Sequence, residues 1–335
     1  MRETSRAADG PAVEERQVVP LTVSQMAINT HVDEAYVAVI DVQTRTKKDG
    51  GLFLRGRLRD RTGSIDAVAW DNLEDCRAAL LVGKVVKVRG QVGKAFGDDG
   101  PELTIQRVRL ALAEEYDLSA LVPASARTRE ALLTDLDNII ASLRRPIRDV
   151  VWATIEPDLD RFASFPAAAE LHHAWIGGLL EHTLEVAHVA HAVSQNLPGV
   201  DRDLAVAGAL LHDVGKLDAY EVGISFRATD SGKLVGHILT GYHRVQLACT
   251  ATDAPPDLTL RLLHVVASHH GEKEYGAAQE PATGEAIVVH YADELSAQLM
   301  QVRGAIAERA DRSARWTSRA KGIRRDVFVG DPTQF

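Results

Sequence analysis

Residues 204–216 read Leu-Ala-Val-Ala-Gly-Ala-Leu-Leu-His-Asp-Val-Gly-Lys, an apolar run that ends abruptly in a histidine and an aspartate. The run predicts a buried helix over 204–211, with His212 and Asp213 directly after it. A carboxylate on an apolar face is costly unless a cation or a hydrogen-bond network meets it. The stretch therefore predicts a helical core with a buried polar site at the end of this helix.

Further histidine and aspartate side chains point inward from other predicted helices. His182 and Asp293 each have apolar residues one turn away, His237 opens a helix, and His269 and His270 follow another apolar run. A single buried histidine is more often an ordinary core residue, but four helices that each aim His or Asp inward leave carboxylates without compensation. Imidazole with carboxylate suits manganese, iron, cobalt or zinc, so the pattern predicts a site for one or two such ions.

The second half of the chain carries a helical pattern throughout. Apolar residues recur at three- and four-residue steps over 129–143, 174–195, 203–212, 236–250, 258–268 and 285–309. This periodicity predicts an all-α domain.

The first half reads instead as short strands separated by turn residues. The expected strands are 35–42, 52–59, 64–70, 84–90 and 102–108, with a short helix over 72–81. Five strands with a helix after the third is the order of an OB-fold barrel. We therefore expect a multidomain protein, an N-terminal all-β OB-fold barrel followed by the all-α domain.

These patterns also give expected domain boundaries. They are a disordered leader at 1–18, the OB-fold nucleic-acid-binding domain at 19–112, a helical linker at 113–145, the catalytic all-α domain at 146–310 and a basic tail at 311–335.

Composition narrows the functional classes. The net charge of −9 argues against a generic nucleic-acid coat, but residues 41–110 hold fourteen basic and ten acidic residues, which fits a localised polyanion site. The two cysteines are far apart and indicate neither a disulfide framework nor a thiolate zinc site. No signal peptide and no membrane span are expected, so a cytoplasmic location is the simplest expectation.

One face of the second expected strand has the composition of a single-strand binder. Phe53, Arg55, Arg57 and Arg59 alternate with leucines, and therefore combine an aromatic ring for bases with cations for phosphates. Trp70 is expected to extend this surface, and Phe96 lies in an expected loop beside it. The alternative is a solvated strand face with one exposed aromatic residue.

The order of the metal-site candidates resembles a known family. His182, then His212-Asp213, then Asp293 is similar to the H…HD…D pattern of the HD-domain superfamily of metal-dependent phosphohydrolases, and residues 212–216 match its HDxGK signature. His237 and the His269-His270 pair resemble the subset of that superfamily with a second metal position.

Longer motifs narrow the resemblance to the YhaM-type 3′→5′ exoribonucleases. Residues 172–183 resemble their HHxxxGGLLEHT motif, 236–238 their GHI, and 268–276 their SHHGxxEYG. Members of this family also carry an OB-fold ahead of the HD domain. Two departures occur: Ala277-Ala278 replaces the usual Ser-Pro, and Ser296 stands where an Asp usually follows.

The resemblance implies roles for the site residues. His182, His212, Asp213 and Asp293 are expected to hold one metal ion, with His237, His269 and His270 around a second, and Asp213 is expected to bridge the two. Lys216 is expected to meet a phosphate oxygen and to act in catalysis. The alternative for Lys216 is a solvated lysine after a helix end. His172 and His173 are expected to contact substrate phosphate, and His173 to act in catalysis on the leaving oxygen, or else to cap the following helix.

The expected function is a manganese-dependent 3′→5′ exonuclease on single-stranded RNA, with DNA as a second substrate and iron, cobalt or zinc as alternative metals. Polarity and RNA preference come from the resemblance alone. An HD phosphohydrolase of nucleotides or cyclic dinucleotides is the first alternative, and a non-catalytic single-strand-binding protein is the second. No membrane partner is expected, and a homo-oligomer stays an open expectation.

Overall fold

The computed structural model describes residues 20–95, 100–117, 120–121, 125, 127–167, 175–221, 227–307, 313–317 and 325–331. The leader at 1–18, Phe96, His172 and His173 lie outside the described residues, as does most of the tail at 311–335. The chain divides into two compact units, Met1–Asp117 and Leu118–Phe335. Each unit is considered by itself.

The first unit is a closed five-stranded barrel with strand order β1-β2-β3-β5-β4. The strands are β1 (His31–Thr46), β2 (Leu52–Asp60), β3 (Gly63–Ala69), β4 (Val85–Lys94) and β5 (Pro101–Leu110), and helix α1 (Leu73–Ala79) follows β3. β3 and β5 pair in parallel, whereas the other neighbours are antiparallel. The expected OB-fold is confirmed.

Alternation along the strands places the barrel core. Val37, Val39, Leu54 and Leu58 are buried, and in β2 the residues on either side of the two leucines are at least partly exposed. Gly56 faces a break in the β1 register between Val39 and Asp41, where a Cβ on Gly56 would lie 2.4 Å from the Asp41 carbonyl oxygen. Glycine is therefore required at this position of β2, beside the break in the β1 register.

The second unit is helical, as expected, with one very short two-stranded pairing. Its helices are α2 (Arg129–Ala141), α3 (Ile147–Ile155), α4 (Leu159–Ser164), α5 (Gly178–Ser194), α6 (Arg202–Leu211), α7 (Lys216–Ala219), α8 (Asp230–Leu234), α9 (His237–Ala251), α10 (Pro256–Ser268) and α11 (Gly284–Ala307). β6 (Tyr220–Glu221) pairs with β7 (Arg227–Ala228). Among the described residues, no helix has the length and hydropathy needed to cross a bilayer.

Helix α6 lies at the centre of this unit and packs against α3, α5, α10 and α11. Every residue from position 203 to position 211 is buried, which explains the almost unbroken apolar run, because a helix surrounded on all sides has no solvent face. Helix α2 buries Leu132, Leu136 and Ile140 in the same core, so the segment expected as a linker is packed as part of this unit.

Candidate metal centre

Five helices of the helical unit bring the predicted ligands together. His182 lies in α5 and Asp293 in α11, His212 and Asp213 directly follow α6, His237 begins α9, and His269 and His270 directly follow α10. The side chains separate into two groups of histidines and carboxylates.

The first group is His182, His212 and Asp293, whose possible ligand atoms all lie within 4.8 Å of one another. The Nε2 atom of His182 is 3.1 Å from the Asp293 Oδ1 atom. It is also 3.3 Å from the Nε2 atom of His212. Both histidines are buried. Two ring nitrogens and a carboxylate oxygen therefore converge on one point.

The second group is His237, His269 and His270, whose possible ligand atoms also lie within 4.8 Å of one another. The Nε2 atoms of His237 and His269 are buried and have no hydrogen-bond partner within the described part of the chain. A buried ring nitrogen without a partner is costly unless something else meets it. This pair of orphaned nitrogens fits a bound cation.

The Asp213 carboxylate lies between the two groups. Its Oδ2 atom is 3.2 Å from the Nε2 atom of His212 and 3.6 Å from that of His182. Its Oδ1 atom is 3.6 Å from the Nε2 atom of His237 and 3.8 Å from that of His269. One oxygen thus faces each group, which is the arrangement of a bridging carboxylate.

Backbone carbonyls orient three of the rings. The Nδ1 atom of His212 donates to the Ala209 carbonyl at 2.7 Å, and that of His269 to the Val266 carbonyl at 2.8 Å. The Nδ1 atom of His270 donates to the Tyr275 carbonyl at 2.9 Å. Because a carbonyl only accepts, Nδ1 carries the proton in each ring, and the Nε2 lone pair is left for a cation.

Burial keeps several of these imidazoles neutral. It lowers the pKa of His237 to about 4 and that of His269 well below the ordinary value. Burial likewise lowers the pKa of His182. For His212 burial acts in the same direction, but the adjacent Asp213 and Asp293 carboxylates outweigh it and raise the pKa. A neutral imidazole is the form that binds a metal.

Lys216 contacts Asp213 in this structure. Its Nζ atom is 2.6 Å from the Asp213 Oδ2 atom. Burial by itself would raise the pKa of Asp213, but the charges of Lys216 and His212 lower it well below its usual range. The lysine was predicted to meet a substrate phosphate; here it neutralises the carboxylate that faces both histidine groups.

Gly215 is the residue that lets Asp213 and His237 meet. A Cβ on Gly215 would lie 2.0 Å from the His237 carbonyl oxygen and 2.3 Å from the Gly241 amide nitrogen. Any other residue would force the start of α9 away from the end of α6. The glycine of the His-Asp-Val-Gly-Lys stretch is therefore a packing requirement for the second histidine group.

The two groups open into a cleft of about 630 Å³. Besides five of the predicted ligands and Lys216, its lining includes Glu272, Tyr275, His290, Tyr291 and Glu294. These five were not predicted as site residues. Glu272 and Tyr275 lie inside the quoted stretch 268–276. His290, Tyr291 and Glu294 carry no local signal, because only the packing of α11 beside the turn after α10 brings them to the cleft.

The predicted nucleic-acid surface of the barrel contains an aromatic stack. The rings of Phe53 and Trp70 lie 4.7 Å apart at an interplanar angle of 23°, and the Lys47 ammonium is 5.2 Å from the Trp70 ring centroid. The side chain of Trp70 remains 39% exposed. Stacked aromatic residues with a nearby cation suit unpaired bases.

The arginines of this surface are less available for phosphate contacts than the alternating pattern of the strand predicted. Arg55 and Arg57 contact the Asp66 carboxylate at 3.4 and 3.0 Å. Arg59 is half-buried, and this burial lowers the pKa of its guanidinium. Arg57 is the most exposed of the three and the best placed for a phosphate contact.

Comparison with known proteins agrees with both units. Residues 37–111 match the model of the OB-fold nucleic acid binding domain, and residues 179–298 match the HD domain model. Among solved structures, the second OB-fold domain of replication protein A from Methanococcus maripaludis is 21% identical, with 27% of this chain and 92% of that chain covered and a TM-score of 0.22.

A second solved structure is also similar to this chain. The HD domain of the L. monocytogenes phosphodiesterase PgpH is 19% identical, with 39% of this chain and 69% of that chain covered and a TM-score of 0.26. The two family models and the observed architecture agree on the layout. The chain joins an N-terminal OB-fold barrel to a helical unit whose residues 179–298 match the HD domain model.

Proposed function

We propose that this protein is a metal-dependent 3′→5′ exonuclease that hydrolyses phosphodiester bonds of single-stranded RNA, with DNA as a second substrate. The observation that carries the proposal is the Asp213 carboxylate, which turns one oxygen toward each histidine group. Such a bridging carboxylate is the basis of a two-ion centre. Manganese is the proposed metal, and iron, cobalt and zinc suit the same nitrogen and oxygen donors.

Ions bound at such a centre activate water as the nucleophile and neutralise charge on the phosphate. The residues of the chain hold and orient the site. His182, His212 and Asp293 present ligand atoms on one side of Asp213, and His237, His269 and His270 on the other. Lys216 supplies a positive charge at the cleft, and its contact with a substrate phosphate remains part of the proposal. His172 and His173 remain proposed substrate contacts, with His173 the proposed proton donor to the leaving oxygen.

The barrel supports a single-stranded nucleic acid as substrate. Phe53 and Trp70 offer stacked rings, the Lys47 ammonium lies over the Trp70 ring, and Arg57 is an exposed cation further along the same strand as Phe53. The polarity of digestion and the preference for RNA rest on the motif resemblance of residues 172–183 and 268–276.

A second candidate is an HD phosphohydrolase of nucleotides or cyclic dinucleotides. Glu272 and Glu294 line the cleft that holds the metal ligands. Carboxylates at that position repel the many phosphates of a long strand more than the one or two of a compact nucleotide. The acidic lining is the specific observation that favours this alternative.

One assay separates the two functions. Single-stranded RNA labelled at its 5′ end and a cyclic dinucleotide are each incubated with the protein and Mn²⁺ or with EDTA. We expect a ladder of RNA products shortened from the 3′ end with Mn²⁺, and intact RNA with EDTA. Turnover of the cyclic dinucleotide with intact RNA would replace the proposal by the second candidate. RNA hydrolysis that persists in EDTA would reject both.

A further inference from the structure

Two exposed tyrosines line the cleft that contains the metal ligands. The side chains of Tyr275 and Tyr291 are 68% and 66% exposed. Both belong to the wall of the same cleft as His182, Asp213 and His269. Single exposed apolar side chains are ordinary on a protein surface, but two aromatic rings at one candidate active site are candidates for ligand contacts.

Tyr275 is tied to the second histidine group. It ends the short 3₁₀ turn Lys273–Tyr275, and its carbonyl accepts the hydrogen bond from the Nδ1 atom of His270 at 2.9 Å. Gly276 then turns the chain with a φ of +99°, a left-handed value that favours glycine. The bond that orients His270 therefore also places the Tyr275 backbone relative to that ligand.

Tyr291 is tied to both groups through α11. It lies two residues before Asp293, and its ring is 4.9 Å from that of His290 at an interplanar angle of 52°. The Nδ1 atom of His290 donates to the His269 carbonyl at 2.8 Å. The ring of Tyr291 is thus supported by a side chain that is itself bound to the turn carrying His269.

We infer that Tyr275 and Tyr291 are stacking surfaces for the nucleobases on either side of the scissile phosphate. The inference rests on the proposed function and makes the substrate class narrower: a phosphodiester that carries a base on each side. Each ring is joined through backbone or helix to metal ligands, so a base stacked on it would hold its phosphate at a defined distance from the centre. Stacking tolerates every base because each has a π-face, so no sequence preference follows.

The test compares three short substrates. They are an RNA dinucleotide and the two versions of it that lack either the 5′ or the 3′ base. KM and kcat are measured with Mn²⁺, and the dissociation constant of the dinucleotide is measured calorimetrically in EDTA, where turnover is not expected. The variants are Tyr275→Ala, Tyr291→Ala and the two corresponding Tyr→Phe changes. Leu260→Ala is the matched control, since Leu260 is 67% exposed and is not among the residues that line the cleft.

Each Tyr→Ala change should raise KM and the dissociation constant of the dinucleotide by about 5- to 140-fold, the range that stacking of one base predicts. We expect a smaller effect on kcat. The Phe variants should have a KM and a dissociation constant close to those of the unmodified protein, because a phenyl ring also stacks on a base. Each Ala variant should have almost no effect on KM for the substrate that lacks the base stacked by that tyrosine. Leu260→Ala should leave KM unchanged for all three substrates.

Several results would overturn the inference. Equal losses on the dinucleotide and on both base-deficient substrates would assign the tyrosines to local structure. Dinucleotide binding that is undetectable, or indifferent to both tyrosines, would remove the stacking role while leaving any metal-dependent turnover intact. Conversely, tyrosine-dependent binding without turnover would reject the proposed function and leave Tyr275 and Tyr291 as base-stacking surfaces only.

A last outcome concerns the neighbours of Tyr291. Ile287, Leu295 and Leu299 are also exposed and repeat at four-residue steps along α11, so they share one helix face with Tyr291. If Tyr291→Ala changes the molecular mass in solution and leaves dinucleotide KM unchanged, this face is a contact between copies of the chain, and the stacking role of Tyr291 is wrong.

Discussion

The Oγ atom of Ser296 lies 3.1 Å from the Nδ1 atom of His182, and both side chains are buried. Ser296 in turn donates its hydroxyl hydrogen to Glu185, whose Oε2 atom is 2.8 Å away. Since that hydrogen is committed to the carboxylate, Ser296 accepts from the ring, and the proton of His182 is placed on Nδ1. The Nε2 atom of His182 is then left with a lone pair that faces Asp213 and Asp293.

This relationship predicts that Ser296→Ala weakens metal binding by about 10- to 100-fold, the usual effect of removing a hydrogen bond behind a ligand histidine. The measurement is a calorimetric titration of chelator-treated protein with Mn²⁺. Ser296→Thr keeps the hydroxyl and should restore most of the affinity. Unchanged affinity in Ser296→Ala would mean that packing alone orients His182.

The presence of two histidine groups predicts that each group binds one metal ion. The unmodified protein should bind up to two equivalents of transition metal. His237→Ala should lose one equivalent, because only the second group is broken, and His182→Ala should lose the other. Metal content is measured by elemental analysis after gel filtration. Both variants losing both ions would indicate one strongly coupled centre.

Asp213→Ala should abolish turnover and bind neither ion tightly, because this carboxylate faces both groups. The fold should persist, since Asp213 lies at the end of α6 and the apolar core of that helix is untouched. Circular dichroism and thermal melting check the fold, and the RNA assay checks the activity. Substantial RNA hydrolysis by this variant would contradict the metal-centre assignment.

The ion pairs of Arg244 predict an effect on the free energy of unfolding that does not depend on metal binding. Its guanidinium contacts Asp158 at 2.7 Å and Asp218 at 2.7 Å, and therefore joins α9 to the turn before α4 and to α7. We expect Arg244→Ala to lower the free energy of unfolding by about 1–3 kcal/mol, between the values for exposed and buried ion pairs. Arg244→Lys should recover only part of this free energy, because an ammonium lacks the forked geometry of a guanidinium. Urea denaturation measures both.

The same network has a definite pH dependence. The hydrogen bond from Arg244 holds the pKa of Asp158 below its ordinary value. A lowered pKa in the folded state stabilises the protein above the unfolded-state pKa of about 3.9 and loses this contribution as the pH falls through the folded-state value. The stability difference between the unmodified protein and Arg244→Ala should therefore be fully present at pH 7 and shrink below about pH 4. A difference that grows on acidification would contradict this assignment.

The aromatic pair of the barrel predicts an effect on the affinity for a long single strand rather than on the rate of hydrolysis. Trp70→Ala should weaken binding to a long single strand by about 1–3 kcal/mol for the base it stacks. Hydrolysis of a dinucleotide should change little, because the aromatic pair belongs to a separate unit of the chain. Leu81→Ala removes another exposed side chain of the barrel and serves as the control. Equal losses on the long strand and the dinucleotide would make the barrel a structural support.

The sequence by itself determined the fold class and the identity of the metal-site candidates. Alternation in β2 and the apolar run of α6 are local signals, because the period of a strand or helix sets which side chains share a face. The inward position of His182 and Asp293 followed from the same rule. Helix α3 was absent from the expected helices although its pattern was present, with Ile147, Val150 and Val151 buried on one face.

Only the tertiary structure decided how these residues meet. Periodicity says which face of a helix is buried but not which helix covers it, so the division of the ligands into two groups about Asp213 depended on the packing of α5, α6, α9, α10 and α11. The approach of the Asp213 carboxylate to His237 and His269 and the presence of Tyr291 at the cleft arise in the same way. Each is set by distances between segments far apart in the chain, and close packing of side chains across those segments, rather than any local preference, determines such distances.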